Sequence, residues 1–472
     1  MVRANAANRD GSTILALLAF VGLAYREGRR VPTRLGLALL CCSTLLLATA
    51  CEHATTLIDP LAGDSIPGDG TVQRVTLIVT VTLTGEDSAL ASAIGSAGGV
   101  LRDAEVTIKR SGSTESPQSA VTGANGRVSF ENLLPGTYAV SLIRLLAPEE
   151  VARFGSENAD VNAFGGGSYV TVEPPSTEAA VPALAGRRGS LVVSEKFASK
   201  PSLSDAGGWP WYDYGLFLEL YNNSDTTVYL DGKVIAMGVA GAGLVYDLPD
   251  YPCTMTEKWR NDPEGIWSRF LHSFPGSGRE YPLAPGEAVV VATDAIDHRA
   301  FHPGLYDLSH AGFEFIGSSD VDNPSVPNML DLGPYEYAPA HGHGLEIVTS
   351  GMGSVIVLAE PIEVSLLPVD YVPGFERPVI HRIPGEKVLD VLSTTLTPEA
   401  KAGTSLPPYC AQHVHTNFDR QRAPLHDHYY VIHTVHRRVL GTLPDGRVIL
   451  QRTKTSSRDF YSHRQATPGT IP

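Results

Sequence analysis

Short β-branched runs separated by turn residues make up most of this chain. Residues 75–81 read Val-Thr-Leu-Ile-Val-Thr-Val, a composition that favours a pleated strand over a helix. The pairs Asn125-Gly126 and Pro135-Gly136 stand between further short runs and are typical of tight turns. We therefore expect an all-β protein that is built from two β-sandwich domains.

The N-terminal segment, residues 1–50, indicates a lipoprotein signal. Residues 35–50 form an apolar run that ends in small residues, and Cys51 follows directly. Lipoprotein peptidases accept small residues before a cysteine, whose thiol then carries the lipid, so the mature chain should begin at Cys51. The alternative is a transmembrane anchor, although the run is shorter than the roughly twenty apolar residues that a spanning helix needs. A start codon assigned too early would explain residues 1–30.

The charge of the chain excludes some classes of partner. The formal net charge is −15, and residues 1–50 contain six arginines but only two acidic residues, so the mature chain is more acidic still. An acidic surface argues against nucleic acid and against docking on anionic lipid through a polybasic segment.

Five cysteines leave one candidate disulfide. Cys41 and Cys42 depart with the signal and Cys51 should carry lipid, so Cys253 and Cys410 are left. In an oxidising compartment this pair can form a disulfide, and two separate buried thiols are equally consistent with the spacing.

The mature chain should divide into a tether and two domains. Residues 51–71 are polar and contain Gly and Pro, as expected of a lipidated tether. We assign residues 72–185 to a first sandwich and residues 186–472 to a larger domain with long loop insertions. An insertion at residues 147–167, which ends in three glycines, interrupts the first domain.

One segment of the first domain resembles a known family. Residues 122–138, Thr-Gly-Ala-Asn-Gly-Arg-Val-Ser-Phe-Glu-Asn-Leu-Leu-Pro-Gly-Thr-Tyr, are similar to the signature of carboxypeptidase-regulatory-like domains, which have a transthyretin-like fold. Val128 and Phe130 should face the core, and Gly126 and Gly136 permit tight turns. The resemblance implies a non-catalytic module that acts as a spacer or an interaction platform.

The start of the second domain resembles lamin-tail-like immunoglobulin folds. Residues 191–195, 216–224 and 228–232 correspond to its opening strands. Glu219 lies among apolar neighbours, so it either faces solvent from an alternating strand or is buried with a partner. We favour a surface position or a hydrogen-bonding role at the corner of the strand over any chemical role, because glutamate is seldom fully buried.

Five blocks of the second domain are similar to one family of bacterial envelope lipoproteins that is known only as a domain of unknown function. These blocks are residues 294–298, 306–314, 320–328, 383–390 and 448–460. Members are often found near TonB-dependent outer-membrane receptors. The resemblance implies an accessory role in the cell envelope, with the lipid in the outer membrane, and it supplies no reaction.

Closely spaced histidines give the first candidate site. The candidate ligands are His413, His415, His426, Asp427 and His428. On a strand, residues two apart point the same way, so either histidine pair could bind a divalent metal such as zinc, with the aspartate as third ligand. The competing interpretation, which we favour, is a polar loop and an exposed strand, because no helix or cysteine framework supports a metal.

Acidic residues give a second candidate, namely Asp294, Asp297, His298, Asp307, Asp320 and Asp322. Oxygen-rich loops can bind calcium. The spacing is not that of an EF-hand, however, and Asp or Asn beside Pro also forms turns. We favour structural turns over a cation site.

Aromatic residues give a third candidate, namely Trp209, Trp211, Tyr212 and Tyr214. Exposed rings beside carboxylates can stack on sugars, whereas tryptophans at the end of a sandwich more often pack into its core. We favour packing over glycan binding.

No common catalytic motif is present, neither a nucleophile elbow nor a zinc-protease helix nor a phosphate-binding loop. We therefore predict a lipid-anchored accessory protein that is not an enzyme, with a TonB-dependent receptor as partner and a glycan or small molecule as cargo. A metal-assisted hydrolase that uses residues 413–436 is the alternative from another class. A purely structural envelope protein is the third.

Overall fold

Alternate residues of the first strand of the fold point into the core. The computed structural model describes residues 73–155, 158, 161–186, 189–199, 212, 214–238, 252–315, 322–333, 354–371, 379–398, 410, 413–426, 432–443 and 445–471. In β1 (Val75–Thr82), every second residue from Val75 to Val81 is buried, as the β-branched pattern predicts. The signal, Cys51 and the tether lie outside the described residues.

Two sheets form the first sandwich. β1 pairs antiparallel with β4 (Arg127–Leu133) and parallel with β7 (Ser176–Pro182). The other sheet has the order β3-β2-β5-β6-β8, with β2 (Glu105–Arg110), β3 (Gln118–Val121), β5 (Gly136–Leu145), β6 (Ala163–Val172) and β8 (Leu184–Gly186). Two helices accompany these sheets, α1 (Gly85–Ala93) and α2 (Pro148–Val151). Val128 and Phe130 are buried.

The second sandwich begins with a sheet of order β16-β15-β10-β9-β23-β26. Its strands are β9 (Leu191–Phe197), β10 (Phe217–Asn222), β15 (Ala288–Ala292), β16 (Phe313–Glu314), β23 (Thr434–Arg437) and β26 (Phe460–His463). Every residue of β9 and β10 is buried, so these two strands are covered on both faces.

The facing sheet has the order β19-β20-β13-β12-β18-β21-β22, and β17 also pairs with β13. Its strands are β12 (Val234–Gly238), β13 (Gly265–Ser273), β17 (Leu330–Asp331), β18 (Val355–Ala359), β19 (Val369–Tyr371), β20 (Val379–Pro384), β21 (Val388–Leu396) and β22 (Ala423–Leu425). Leu218, Leu220, Ile356 and Leu358 belong to the shared core. The described chain is therefore all-β.

Short elements complete the second sandwich. Two small two-stranded antiparallel sheets pair β11 (Val228–Tyr229) with β14 (Pro282–Leu283) and, as a hairpin, β24 (Val439–Thr442) with β25 (Val448–Leu450). The helices are α3 (Cys253–Arg260) and α4 (Ser456–Asp459), with 3₁₀ turns at His298–Ala300, Val364–Leu366 and Gly385–Lys387. Within the described ranges, no helix is both long enough and apolar enough to span a membrane.

The glycine-rich insertion is explained by contact between the two sandwiches. The β24–β25 hairpin places Leu440 against the outer side of β5 and β6, in a small cluster with Ile143 and Ala163. A Cβ on Gly165 would lie 2.5 Å from the Leu440 carbonyl oxygen, which is closer than a side chain permits. The glycine therefore lets the second sandwich pack directly on the backbone of the first.

We predict that Leu440→Ala destabilises the protein by about 2–5 kcal/mol, because Leu440 is fully buried in this contact. Denaturant unfolding of the full chain measures the change. Val121→Ala is the matched control, since Val121 is 61 % exposed on β3. Equal stability of the two variants would show that the contact between the sandwiches contributes little.

Candidate functional site

A wide groove opens where the loop of residues 413–420 packs against the second sandwich. Its volume is about 1230 Å³. We name it the Phe418 groove after the half-buried ring in its wall. The groove is lined by Pro263, Glu264, Pro368, Arg382, Pro384, Gly385, Glu386, Thr416, Asn417, Phe418, Arg420 and Lys454.

Local hydrogen bonds place the ring of Phe418 in this wall. The Phe418 amide donates to the carbonyl of His415 at 3.0 Å, which closes a turn. Asn417 Nδ2 donates to the Pro263 carbonyl at 2.9 Å and ties that turn to the chain before β13. A Cβ on Gly385 would lie 3.0 Å from Phe418 Cζ, so the ring lies close against bare backbone.

A disulfide anchors the start of the same loop. Cys253 at the beginning of α3 is bonded to Cys410, 157 residues later. Arg422 donates to the Cys410 carbonyl at 3.3 Å and to Nε2 of His413 at 2.8 Å. Burial, with the nearby cations Arg422 and Arg260, holds the pKa of His413 well below its usual range, so this imidazole is neutral.

A fixed guanidinium forms part of the groove rim. Arg382 donates Nε and Nη2 to the two carboxylate oxygens of Asp262, at 2.6 and 2.9 Å. This fork lowers the pKa of Asp262 to about 2. Glu264 and Arg420, whose side chains are 82 % and 50 % exposed, add charges of both signs, and each is in an ion pair, Glu264 with Arg382 at 3.3 Å and Arg420 with Glu86 at 3.5 Å.

This combination suits binding of an extended polar ligand. The Phe418 ring and the prolines offer apolar surface, while the fixed and exposed charges offer directional contacts at the rim. The groove is open to solvent, unlike the ionisable groups in the interior of the sandwich.

The most unusual of these interior groups form a row across four strands. Glu219, Glu195, His436 and Tyr461 are direct cross-strand partners on β10, β9, β23 and β26, and we call them the polar row. His436 Nε2 lies 3.3 Å from a Glu195 oxygen, and its ring is stacked on Tyr461 with centroids 5.7 Å apart. Both glutamates are 1 % exposed.

The C-terminal segment covers the polar row. The Thr467 amide donates to Glu195 at 3.1 Å and the Gly469 amide donates to Glu219 at 2.7 Å. His436 Nε2 also contacts the Gln465 carbonyl at 3.1 Å. Of the two positions favoured for Glu219, the surface position is therefore wrong, because a segment from the end of the chain covers the outer face of β10 and donates a hydrogen bond to this carboxyl group.

Burial dominates the titration of the two carboxyl groups. It raises the pKa of Glu219 to about 7, against the lowering effect of hydrogen bonds from Ser194 and Gly469. It also raises the pKa of Glu195, although the neighbouring His436 acts in the opposite direction. At neutral pH Glu219 is therefore close to a protonation change.

A lysine and a serine meet between the two sheets of the second sandwich. Lys196 Nζ donates to Ser354 Oγ at 2.5 Å, and Ser354 lies 3.3 Å from Thr394 Oγ1. Burial lowers the pKa of Lys196 to about 7. Such pairs can activate a nucleophile, but here both side chains are buried and the bond serves to link the sheets.

The histidines considered as candidate metal ligands lie in loops where the structure describes them. His413 and His415 lie in a loop rather than a strand, and His413 is engaged by Arg422. His426 is exposed after β22, while Asp427 and His428 lie outside the described residues. Across the part of the chain that the structure describes, no group of three or more His, Cys, Asp or Glu residues could hold a metal.

The acidic candidates close turns. Asp297 accepts from the backbone and the guanidinium of Arg299, which also reaches Asp307 at 2.9 Å. Asp307 accepts from the Ser309 amide at 3.0 Å. Asp322 accepts from Asn328 Nδ2 at 2.8 Å. Asp294 is buried, and Asp320 lies outside the described residues.

The aromatic candidates are divided by burial. Tyr212 is 8 % exposed, so its ring cannot stack on a sugar. Its hydroxyl lies 2.7 Å from Nδ1 of the buried His298, and its ring is stacked on Phe301. Tyr214 packs partly buried against the core. Trp209 and Trp211 lie outside the described residues.

Sequence reasoning missed the groove and the polar row. Arg382 and Asp262 are 120 residues apart in the chain. Phe418 stands in a polar loop without periodicity, and nothing in the sequence distinguishes it from other loop aromatics. Glu195 could have been noticed as a second glutamate within a predicted buried strand.

One protein family, whose function is unknown, matches part of this chain. The family described as "Protein of unknown function (DUF4876)" matches residues 284–366, so the expected resemblance to a family of unknown function is confirmed there. No curated protein matches the chain.

Several solved structures are similar to this chain. A DUF4876 family protein from Bacteroides thetaiotaomicron is 20 % identical, covers 84 % of this chain and 96 % of its own, and has a TM-score of 0.47. A candidate carbohydrate binding protein from Pseudomonas aeruginosa is 13 % identical, over 24 % and 89 % of the two chains, with a TM-score of 0.17. A candidate cell adhesion protein from Bacteroides eggerthii is 10 % identical, over 70 % and 80 %, with a TM-score of 0.17.

We predict that Glu219→Gln reduces the loss of stability between about pH 4.5 and pH 7. Because folding raises the pKa of Glu219 from 4.5 to about 7, its stabilising effect is complete below pH 4.5 and is lost as the pH rises through 7. The effect amounts to roughly 3 kcal/mol. Denaturant unfolding at several pH values measures it.

Glu264→Gln is the matched control, since this side chain is 82 % exposed. It should leave the pH dependence unchanged. An identical pH profile for Glu219→Gln and the unaltered chain would contradict the assigned role of Glu219.

Proposed function

We propose that this protein is a lipid-anchored binding protein of the cell envelope that uses the Phe418 groove to hold a partner. The observation that carries the proposal is the groove itself, about 1230 Å³ of open space with an aromatic ring, prolines and a charged rim. Ligand sites typically combine an apolar wall with a few fixed polar groups, and Arg382 is such a group.

The arrangement of the ionisable groups favours binding over catalysis. Glu195, Glu219, Lys196 and Ser354, which have the chemistry that catalysis needs, are all buried within the second sandwich. The accessible groove instead offers Arg382, already neutralised by Asp262, and the exposed ion-paired side chains of Glu264 and Arg420. We therefore assign the groove to recognition.

The partner that we propose is a loop of an outer-membrane uptake receptor of the TonB-dependent class. The resemblance of the second domain to envelope lipoproteins found near such receptors supports this choice. An extended loop could place an apolar side chain against Phe418 and a carboxylate or carbonyl near the rim cations. Lipid on Cys51 would keep both proteins in the same membrane.

We predict that Cys51→Ala releases the protein from the membrane fraction. A single modified cysteine supplies the lipid, so no acyl chain would be attached to the variant. Fractionation of cells and labelling with a radioactive fatty acid measure the effect. Cys253→Ala is the control and should retain the label, and labelled Cys51→Ala would contradict the lipid anchor.

We predict that Phe418→Ala reduces capture of the receptor at least about tenfold, since buried aromatic anchors contribute most to such interfaces. Cross-linking in intact cells, purification through a tag at Pro472 and mass spectrometry measure it. Tyr169→Ala is the matched control, because Tyr169 is 77 % exposed on the first sandwich.

The results of this experiment test the groove and the partner separately. Loss of a TonB-dependent receptor with Phe418→Ala, but not with Tyr169→Ala, supports both groove and partner. Equal recovery with both variants would exclude the groove as the contact. Recovery of no receptor from the unaltered chain would exclude the partner.

A further inference from the structure

A second pocket lies at the end of the first sandwich where β1 begins. Its volume is about 260 Å³. Arg74, Lys109 and Arg110 line it, together with Ser116, Gln118 and other residues of the same end of the sandwich. In a chain with a net charge of −15, three cations around one small pocket are unexpected.

These cations are not neutralised by neighbouring carboxylates. Within the described residues, Arg74, Lys109 and Arg110 make no salt bridge, whereas Arg127 at the other end of β4 pairs with Glu178 at 2.7 Å. Glu115 also lines the pocket but forms no ion pair with them. The pocket therefore keeps an excess of positive charge.

One turn holds both arginines in place. Arg74 donates to the carbonyl of Asn132 at 3.1 Å, and Arg110 donates to the carbonyl of Pro135 at 3.0 Å. Asn132 has a φ of +59°, a backbone conformation that turns its carbonyl away from the strand. A Cβ on Gly136, whose φ is +139°, would lie 3.1 Å from Arg110 Nε, so the glycine gives the guanidinium its room.

Each guanidinium has donors to spare. A guanidinium carries five N–H groups, and one donor nitrogen of each is used by these carbonyls. Lys109 adds an ammonium, and Ser116 and Gln118 add neutral donors. A carboxylate could be satisfied by one arginine alone, whereas a phosphoryl group has three acceptor oxygens and carries about −1.5 to −2 charge at neutral pH.

We propose that this pocket is a binding site for the phosphoryl group of a phosphate ester. Arg74 and Arg110, each of which donates to one backbone carbonyl, form its two arms, and Lys109 supplies further charge. The proposal does not depend on the Phe418 groove or on its partner. It adds a second binding site on the other sandwich.

The phosphoryl group could belong to a phospholipid headgroup or to a soluble phosphate ester. Arg74 directly precedes β1, so it is only 23 residues along the chain from Cys51. The chain from Cys51 to Arg74 can extend to roughly 80 Å at most, so a lipid on Cys51 would keep the pocket within reach of headgroups.

The test compares the full chain with Arg74→Gln/Arg110→Gln. Titration with inorganic phosphate, followed by calorimetry at low salt, should show saturable binding to the unaltered chain. We expect binding to the double variant to be weaker by about tenfold or more, because charge-assisted hydrogen bonds are lost. Binding should also weaken with added salt.

Arg127→Gln is the control for loss of a cation from the same sandwich outside the pocket, although it removes one positive charge and the double variant removes two. Lys109→Gln provides a second variant if thermal melting shows that the double variant does not fold. Absence of saturable phosphate binding, or equal binding to the double variant and to Arg127→Gln, would overturn the proposal.

Vesicle flotation identifies the source of the phosphoryl group. Vesicles of phosphatidylglycerol in phosphatidylcholine are compared with phosphatidylcholine alone. If the double variant loses both phosphate binding and its preference for phosphatidylglycerol, the site binds headgroups. If it loses phosphate binding but floats like Arg127→Gln, the site binds a soluble ester. Both results support a phosphoryl site.

Discussion

A single buried guanidinium joins the two sheets of the second sandwich. Arg437 on β23 donates Nε to the Val193 carbonyl at 2.6 Å and Nη1 to the Gln451 carbonyl at 3.0 Å, and it is paired with Asp390 of the facing sheet. Asp390 also accepts from the Val193 amide at 2.9 Å. Loss of either partner would break a buried ion pair, which typically costs about 3–5 kcal/mol, and would leave Arg437 with only Asp459 at 3.8 Å or Asp390 with only Arg452 at 3.3 Å.

Other parts of the fold depend on the position of the strand that carries Arg437. The strand that carries Arg437 also holds His436 beside Glu195, and so aligns the polar row. The next strand places Leu440 on the glycine backbone of the first sandwich. The Arg437–Asp390 pair therefore helps to position both the polar row inside the second sandwich and the hairpin that contacts the first sandwich.

Ionisable groups in the interior and ionisable groups in the open pockets are assigned different roles. Groups with strongly shifted pKa values, such as Glu219 and Lys196, stabilise contacts between distant segments. The groups assigned to binding lie in open pockets and owe their geometry to local anchors, Asp262 for Arg382 and the Asn132 carbonyl for Arg74. Because the two sandwiches pack directly, the Phe418 groove and the pocket around Arg110 belong to one connected body.

The sequence by itself determined the all-β class, the strand pattern and the turns, because alternating burial and turn chemistry are local properties. It did not determine the environment of Glu219, which depends on a chain segment 250 residues away. Only the tertiary structure decided that Tyr212 meets His298 and that Arg382 meets Asp262, since these partners are 86 and 120 residues apart. Contacts between distant residues arise from packing, and no local pattern encodes them.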